Sequence, residues 1–335
     1  MTKKIFLSGA TGFIAQHIVK QLLERGYYVV GTVRSNEKGD KLKSLLNSER
    51  FSYEVVKDIQ SEGAFDEALK RHPDINVFLH TASPFYFDVT DVEKDLLLPA
   101  VSGTSNAFKA IKKYGTNVRK VVITSSLAAI IDMNHFNDPK FKVNEESWNP
   151  VTWEDSKLNA LFAYCGSKAF AEKEAWKFLR EEKPNFTLST INPVYVFGPQ
   201  AFDQNAKGTL NTSAEIIQTL LGLKPNDPVP DVSGQFIDVR DVARAHIEAF
   251  EKDSLSGKRL LLSEANFNDQ ILLNIINEKF PKLAHKLPVG KPEATNLSLA
   301  VVDNTATKSL LGFKFNDLET CVIDTVNQYL RVNNL

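Results

Sequence analysis

Residues 3–15 read Lys-Lys-Ile-Phe-Leu-Ser-Gly-Ala-Thr-Gly-Phe-Ile-Ala, and no other stretch constrains the fold as much. Ile5, Phe6 and Leu7 form the short apolar run that a buried parallel strand requires. Gly9 and Gly12 let the backbone turn sharply and approach a ligand with no Cβ in the way. Ile14, Ile18, Val19, Leu22 and Leu23 then recur at helical spacing. A helix that opens directly after a glycine turn aims free N–H groups and its positive dipole end at an anion. Strand, turn and helix in this order are the context in which a glycine motif marks a nucleotide pyrophosphate site. The spacing is Gly-x-x-Gly-x-x-Ala, with Ala15 as the smallest substitute where a third glycine would let helix and strand pack closely.

Strand patterns at Tyr27–Thr32, Tyr53–Val56, Val77–His80, Val121–Thr124 and Thr187–Ile191 follow. Helical patterns separate them, among them Asp66–Arg71, Leu96–Tyr114 and Ala169–Glu182. Such alternation predicts an α/β fold: a Rossmann-like, doubly wound parallel sheet with helices on both faces. After Pro193 the regularity breaks, and Gly198-Pro199 and the Pro225, Pro228, Pro230 cluster mark loops. Gln235–Val239 reads as a strand and Asp241–Phe250 as a helix returning to the core. A chain of 335 residues exceeds one such unit, so a smaller C-terminal substrate lobe is expected. The division expected is a nucleotide-binding domain over 1–198 and 235–252, with the substrate lobe over 199–234 and 253–335. The ligand cleft then lies between them, at the carboxyl ends of the strands.

Composition excludes several alternatives. Net charge is −1, with both signs scattered through the chain, which argues against a nucleic-acid or polybasic membrane surface. No apolar run approaches the roughly 20 residues of a spanning helix. The N-terminus passes from two lysines straight into a strand, so no signal peptide is expected and the cytoplasm is the expected compartment. Cys165 and Cys321 make neither a disulfide framework nor a zinc site, and no metal is expected.

NAD enzymes usually place Asp or Glu at the end of the second strand, to bind ribose hydroxyls. Here that position carries Arg34, with Lys38 four residues on. A guanidinium fork suits a 2′-phosphate, which a carboxylate would repel, so NADPH is the expected cofactor. Asp58, closing the third strand before Ile59, is placed to accept from an adenine amino group or to stand as a solvated strand-end residue.

Tyr164-Cys-Gly-Ser-Lys168 supplies a proton site. Tyrosine, with a pKa of about 10, is a weak acid, and a nearby ammonium favours its phenolate. On a helix, residues four apart lie about 6 Å from each other on one face. A second match, Tyr53-Glu-Val-Val-Lys57, falls in a strand pattern, where four steps separate the ends by roughly 13 Å. It serves as an internal negative control. Val121-Val-Ile-Thr-Ser125-Ser126 runs a buried strand out into two serines on the ligand side. A serine hydroxyl there stabilises charge on a carbonyl oxygen, or else caps a turn.

These elements, in this order, resemble the extended short-chain dehydrogenase/reductase family, over almost the whole chain. The narrower likeness is to its yeast NADPH-dependent methylglyoxal (3-methylbutanal) reductases, relatives of plant dihydroflavonol and cinnamoyl-CoA reductases. Phe13-Ile-Ala-Gln-His-Ile-Val19, His80-Thr-Ala-Ser-Pro-Phe85 and Asn144-Glu-Glu-Ser-Trp-Asn-Pro150 carry it. So do Asn192-Pro-Val-Tyr-Val-Phe-Gly-Pro199, Gly234-Gln-Phe-Ile-Asp-Val-Arg-Asp-Val-Ala243 and Leu311-Gly-Phe-Lys-Phe315. The resemblance implies a catalytic triad of Ser126, Tyr164 and Lys168, with Lys168 also holding the nicotinamide ribose. It implies that Gly9, Thr11, Gly12, Phe13 and Ile14 form the phosphate loop and that Arg34 and Lys38 hold the 2′-phosphate. Asp58 and Ile59 would flank the adenine, and Ala82, Thr124, Pro193 and Val196 would line the nicotinamide end. Leu127 departs from the aromatic residue expected beside the serine in the yeast reductases, which bears on pocket size.

The implied reaction reduces a small neutral aldehyde or ketone to an alcohol. Phe85, Leu127, Ile131 and Tyr195 sit on loops leaving the carboxyl edge of the sheet and, with Phe236, are the expected substrate contacts. No Arg or Lys is placed to bind a substrate phosphate. Two rivals are an epimerase or dehydratase with a retained NAD, which Arg34 opposes, and a non-catalytic NADP-binding redox sensor. A homodimer is compatible with each of them.

Overall fold

The structure, a computed structural model, describes residues 3–83, 91–208, 210 and 212–335. Its strands are β1 (Lys4–Ser8), β2 (Tyr28–Val33), β3 (Phe51–Val55), β4 (Val77–His80), β5 (Lys120–Thr124) and β6 (Lys142–Val143). They continue with β7 (Thr187–Pro193), β8 (Tyr195–Phe197), β9 (Ser233–Asp238), β10 (Arg259–Leu262), β11 (Ala265–Asn268) and β12 (Val301–Val302). The helices are α1 (Phe13–Glu24), α2 (Asn36–Leu46), α3 (Asp66–Arg71), α4 (Leu98–Tyr114), α5 (Ala160–Glu182) and α6 (Thr212–Leu221). After them come α7 (Val239–Glu251), α8 (Asp269–Lys279), α9 (Pro281–Ala284), α10 (Thr305–Leu311) and α11 (Leu318–Asn333).

Seven strands form one sheet in the order β10-β7-β5-β4-β1-β2-β3, parallel at every pairing. The order reverses between β1 and β4, and a crevice opens beyond the strand ends at such a switch point. Successive side chains of each strand face opposite ways. Ile5 and Leu7 of β1 therefore pack with Ile18 and Leu22 of α1 and Val242 and Phe250 of α7. Phe6, between them, packs on the other face with Phe108 and Ile111 of α4 and Phe178 of α5. A separate apolar cluster joins Phe197, Phe236 and Phe267 to Ile217 of α6, Leu272 of α8 and Val326 of α11. Above it β11, β9 and β8 make a small second sheet, antiparallel at β11–β9 and parallel at β8–β9. Among the described residues, no helix is long and apolar enough to cross a membrane.

Several boundaries differ from the sequence expectation, most of them by one or two residues and three of them more consequentially. Arg259–Leu262, assigned above to the substrate lobe, pairs with β7 as the edge strand of the main sheet, while β9, assigned to the nucleotide-binding domain, belongs to the second sheet. Leu260, Leu261 and Leu262 are fully buried, the continuous apolar run of a parallel strand. Helix α5 begins nine residues before the predicted start, at Ala160 rather than Ala169. Tyr164-Cys-Gly-Ser interrupts the apolar pattern, so burial rather than propensity makes this turn helical. Asn159 caps the early start, accepting from the Phe162 amide at 3.0 Å.

Candidate active site

The phosphate loop is built on close backbone contacts. Gly9 holds φ +71°, and a Cβ there would stand 3.0 Å from the Ala82 Cα, so only glycine fits without strain. Its amide donates to Thr32 Oγ1 at 3.0 Å, and the Gly12 amide closes the turn on the Gly9 carbonyl at 3.0 Å. Ser8 Oγ accepts from the amides of Thr81 (3.1 Å) and Ala82 (3.0 Å), tying the end of β1 to the end of β4. With both amides donating, the Ser8 hydroxyl gives its own proton to His80 Nδ1 at 2.9 Å. Burial, seconded by the charge of Lys168, pushes the His80 pKa down to about 4, so this imidazole is neutral. Gly12 caps α1 without a side chain, which leaves the first-turn amides for a ligand.

A cavity of about 460 Å³ opens over this loop. Gly9, Thr11, Gly12, Arg34, Lys38, Asp58, Ile59 and Ala82, all expected cofactor contacts, line it. Thr32, Val33, Val56, Lys57, Gln60, Thr81 and Ser83 complete the wall; the sequence reading had not singled them out. Arg34 and Lys38 are exposed, and among the described residues neither forms a salt bridge. Asp58 Oδ1 accepts from the Gln60 amide at 2.9 Å, which sets the carboxylate at the strand end. A glycine cradle, an uncapped helix start and two unpaired cations suit a dinucleotide with an extra phosphate. Phe13 and Ile14 open α1, half-buried, outside the cavity wall. Thr124, Pro193 and Val196 lie at or just past the ends of β5 and β7, also outside it.

The structure brings the expected triad together. Tyr164 Oη donates to Ser126 Oγ at 3.3 Å, and Lys168 Nζ lies 5.9 Å from the Tyr164 ring centroid. Ser126 also caps the short turn Leu127–Ala129, accepting from the Ala128 amide at 3.1 Å. Cap and partner roles thus coexist, and the hydroxyl proton of Ser126 stays available to a ligand. Burial pushes Tyr164 up to about 12, against the opposing hydrogen bond with Ser126. Burial outweighs that hydrogen bond, and the phenol is held protonated at neutral pH. Burial also pushes Lys168 down to about 8. Thr124 is pinned from behind. His246 Nδ1 must donate to the Val242 carbonyl (2.8 Å), so its Nε2 accepts from Thr124 Oγ1 at 2.7 Å.

The expected substrate contacts divide. Tyr195 is 37% exposed, with its ring against Phe197 and Phe267. Phe236 is fully buried against Phe197 and is a core residue of the second cluster. Ile131 at 1% and Leu127 at 7% exposure belong to the main core. A loop's departure from the sheet edge does not set which of its side chains turn inward, and these three turn inward. Phe85 lies outside the described residues. A second cavity, about 240 Å³, opens beside Tyr164's helix, lined by Met133, Asn134, Val151, Leu158, Phe162 and Cys165 with Asp132, Asn149, Pro150 and Asp155.

Comparison with known proteins agrees with this geometry. The profile of the "NAD dependent epimerase/dehydratase family" matches residues 5–262. The chain is 56% identical to a putative NADPH-dependent methylglyoxal reductase of Candida albicans, over 97% of this chain and 98% of that protein. It is 51% identical to the NADPH-dependent methylglyoxal reductase of Saccharomyces cerevisiae, over 98% of each. The crystal structure of the yeast methylglyoxal/isovaleraldehyde reductase complexed with NADPH superposes with a TM-score of 0.96, at 50% identity over 99% of both chains. The chain belongs to the NAD dependent epimerase/dehydratase family, the extended short-chain dehydrogenases/reductases.

Proposed function

We propose that this chain is an NADPH-dependent reductase of small neutral aldehydes and ketones. The observation that carries the reading is the Tyr164–Ser126 hydrogen bond at 3.3 Å, with Lys168 Nζ 5.9 Å from the tyrosine ring centroid. Gly9, Thr11, Gly12, Phe13 and Ile14 take the pyrophosphate, Arg34 and Lys38 the 2′-phosphate, and Asp58 and Ile59 the adenine. Ala82, Thr124, Pro193 and Val196 take the nicotinamide end. Bound NADPH supplies the hydride that reaches the carbonyl carbon. Ser126 donates its free proton as a hydrogen bond to the carbonyl oxygen and stabilises the charge that develops there. Tyr164, protonated at neutral pH, gives its proton to that oxygen as general acid. Lys168 holds the nicotinamide ribose and offsets the phenolate left behind.

We take the cavity beside α5 as the substrate side; its wall carries Asp132 and Asp155 and, among the described residues, no cation, which favours neutral substrates over phosphates or carboxylates. The names of the relatives, methylglyoxal and isovaleraldehyde reductases, fit that class. Our reading includes two lobes, with Arg259–Leu262 moved to the cofactor domain, and extends to a homodimer working in the cytoplasm. A panel of aldehydes and ketones, run with NADPH and with NADH, tests the function. NADPH-dependent reduction of neutral carbonyls supports it. A tightly retained NAD with sugar-nucleotide turnover would replace it with the epimerase reading, and no turnover at all with the sensor reading.

A further inference from the structure

We propose that Glu172 is a positioning residue for Ser126; this deepens, and rests on, the assignment of Ser126 and Tyr164 above. Glu172 lies four residues past Lys168 and eight past Tyr164, on the same side of α5. Its side chain is fully buried and ion-paired to Arg259, Nε to Oε1 at 2.6 Å. Oε1 also accepts from Trp176 Nε1 at 3.2 Å, with Thr190 Oγ1 at the same distance and its one proton directed to the nearer Asn192 Oδ1. Oε2 accepts from Ser125 Oγ and from Asn192 Nδ2, the latter at 2.7 Å. The second proton of that Asn192 amide goes to the Ser126 carbonyl at 3.2 Å. Two acceptors facing one NH₂ fix the orientation of the amide. Thr190 Oγ1 holds its other end, meeting Asn192 Oδ1 at 2.8 Å.

The same ion pair reaches the serine turn by a second route. Arg259 stacks on Trp148 at 3.8 Å and donates to the carbonyls of Glu145 (2.8 Å) and Ser147 (2.5 Å). That orders the segment carrying Asn149, whose side chain donates to the Ala128 carbonyl at 2.9 Å and whose amide donates to that of Ala129 at 3.0 Å. The turn that begins at Ser126 is thus held by two chains of hydrogen bonds from a frame anchored on Glu172 and Arg259. Buried ion pairs give little net stability compared with apolar packing, so stability alone does not account for this one. Its branches converge on the residue whose hydroxyl must meet Tyr164 and a substrate oxygen, where a misplacement of about 1 Å costs about 10²-fold in rate.

The test is a double-mutant cycle with Glu172→Gln and Ser126→Ala, read as kcat with saturating NADPH and as NADPH affinity by fluorescence titration. Glu172→Gln should lower kcat about 10- to 100-fold, while NADPH affinity changes by no more than about threefold. In the Ser126→Ala background the same substitution should cost no more than about twofold, because the hydroxyl it positions is gone. Glu172→Asp should recover part of the loss. Asn192→Ala leaves the ion pair intact and breaks the link to Ser126, so it runs the same cycle if Glu172→Gln fails to fold. Losses that multiply across the cycle overturn the positioning role. A Ser126→Ala enzyme with the wild-type rate overturns the assignment of Ser126 instead.

Discussion

The chain carries Tyr-x-x-x-Lys twice, and the two copies end in opposite places. Tyr53 lies in β3, and Lys57 falls beyond the strand, exposed. The Tyr53 hydroxyl donates to Asp40 Oδ1 at 2.6 Å, so it faces a carboxylate. That hydrogen bond is the main cause of its raised pKa. Tyr164 lies in α5, one turn from Lys168, with its hydroxyl on Ser126. Its pKa is also raised, to about 12, but mainly by burial. The same four-residue spacing makes a proton donor only where a helix brings the two side chains to one face and a buried wall holds them. Beside a carboxylate on a strand, the phenol has no reacting oxygen to serve.

The sharpest break between the two copies should come from Lys168. Lys168→Ala removes both the charge beside Tyr164 and the proposed ribose contact, so kcat/KM for reduction should fall by about 10³-fold or more. Lys168 also sets a pH signature. Its pKa is lowered to about 8, so the ammonium is present below that pH and lost above it. Reduction should therefore decline as pH rises through about 8, and Lys168→Arg should remove that limb from the pH–rate profile. Its effect on stability has the opposite sign. Between pH 8 and the usual lysine value the unfolded chain holds the proton that the folded one has lost, so this contribution rises with pH.

Arg34→Ala comes next in size. A charge-assisted contact contributes about 1.5–3 kcal/mol, so NADPH should bind roughly 10- to 100-fold more weakly. NADH, which lacks the phosphate, should be almost unaffected, and Lys38→Ala should show a smaller effect of the same sign. Fluorescence titration with both cofactors checks this, and equal weakening of the two would assign Arg34 another role. The smallest effect concerns substrate size. At about 0.8 kcal/mol per buried methylene, branched or aryl aldehydes should exceed acetaldehyde in kcat/KM by roughly an order of magnitude. A flat series would remove the apolar pocket from the account.

Much of the cavity proposed for the cofactor was legible in the sequence because it is local. Gly9, Gly12 and Arg34 act through turn geometry and the end of a strand, and eight of the expected contacts line one cavity. The proximity of Tyr164 and Lys168, the proposed catalytic pair, was legible once a helix was assumed at Tyr164, although the apolar pattern began only at Ala169. What stayed hidden depends on contacts distant in the chain. Glu172 and Arg259 meet across 87 residues, and nothing near either announces the other. Leu127, Ile131 and Phe236 were misplaced because apolar side chains on site loops look the same whether they face a cleft or the core.

The most direct test sets Tyr164→Phe against Tyr53→Phe in single-turnover reduction of a neutral aldehyde, with NADPH affinity measured for each. Tyr164→Phe should keep near-normal NADPH affinity and slow the reduction by roughly 10²- to 10⁴-fold, the usual worth of a positioned acid. Tyr53→Phe should leave both unchanged. Near-normal reduction by Tyr164→Phe, or a comparable loss in Tyr53→Phe, would contradict the assignment of Tyr164 as the proton donor.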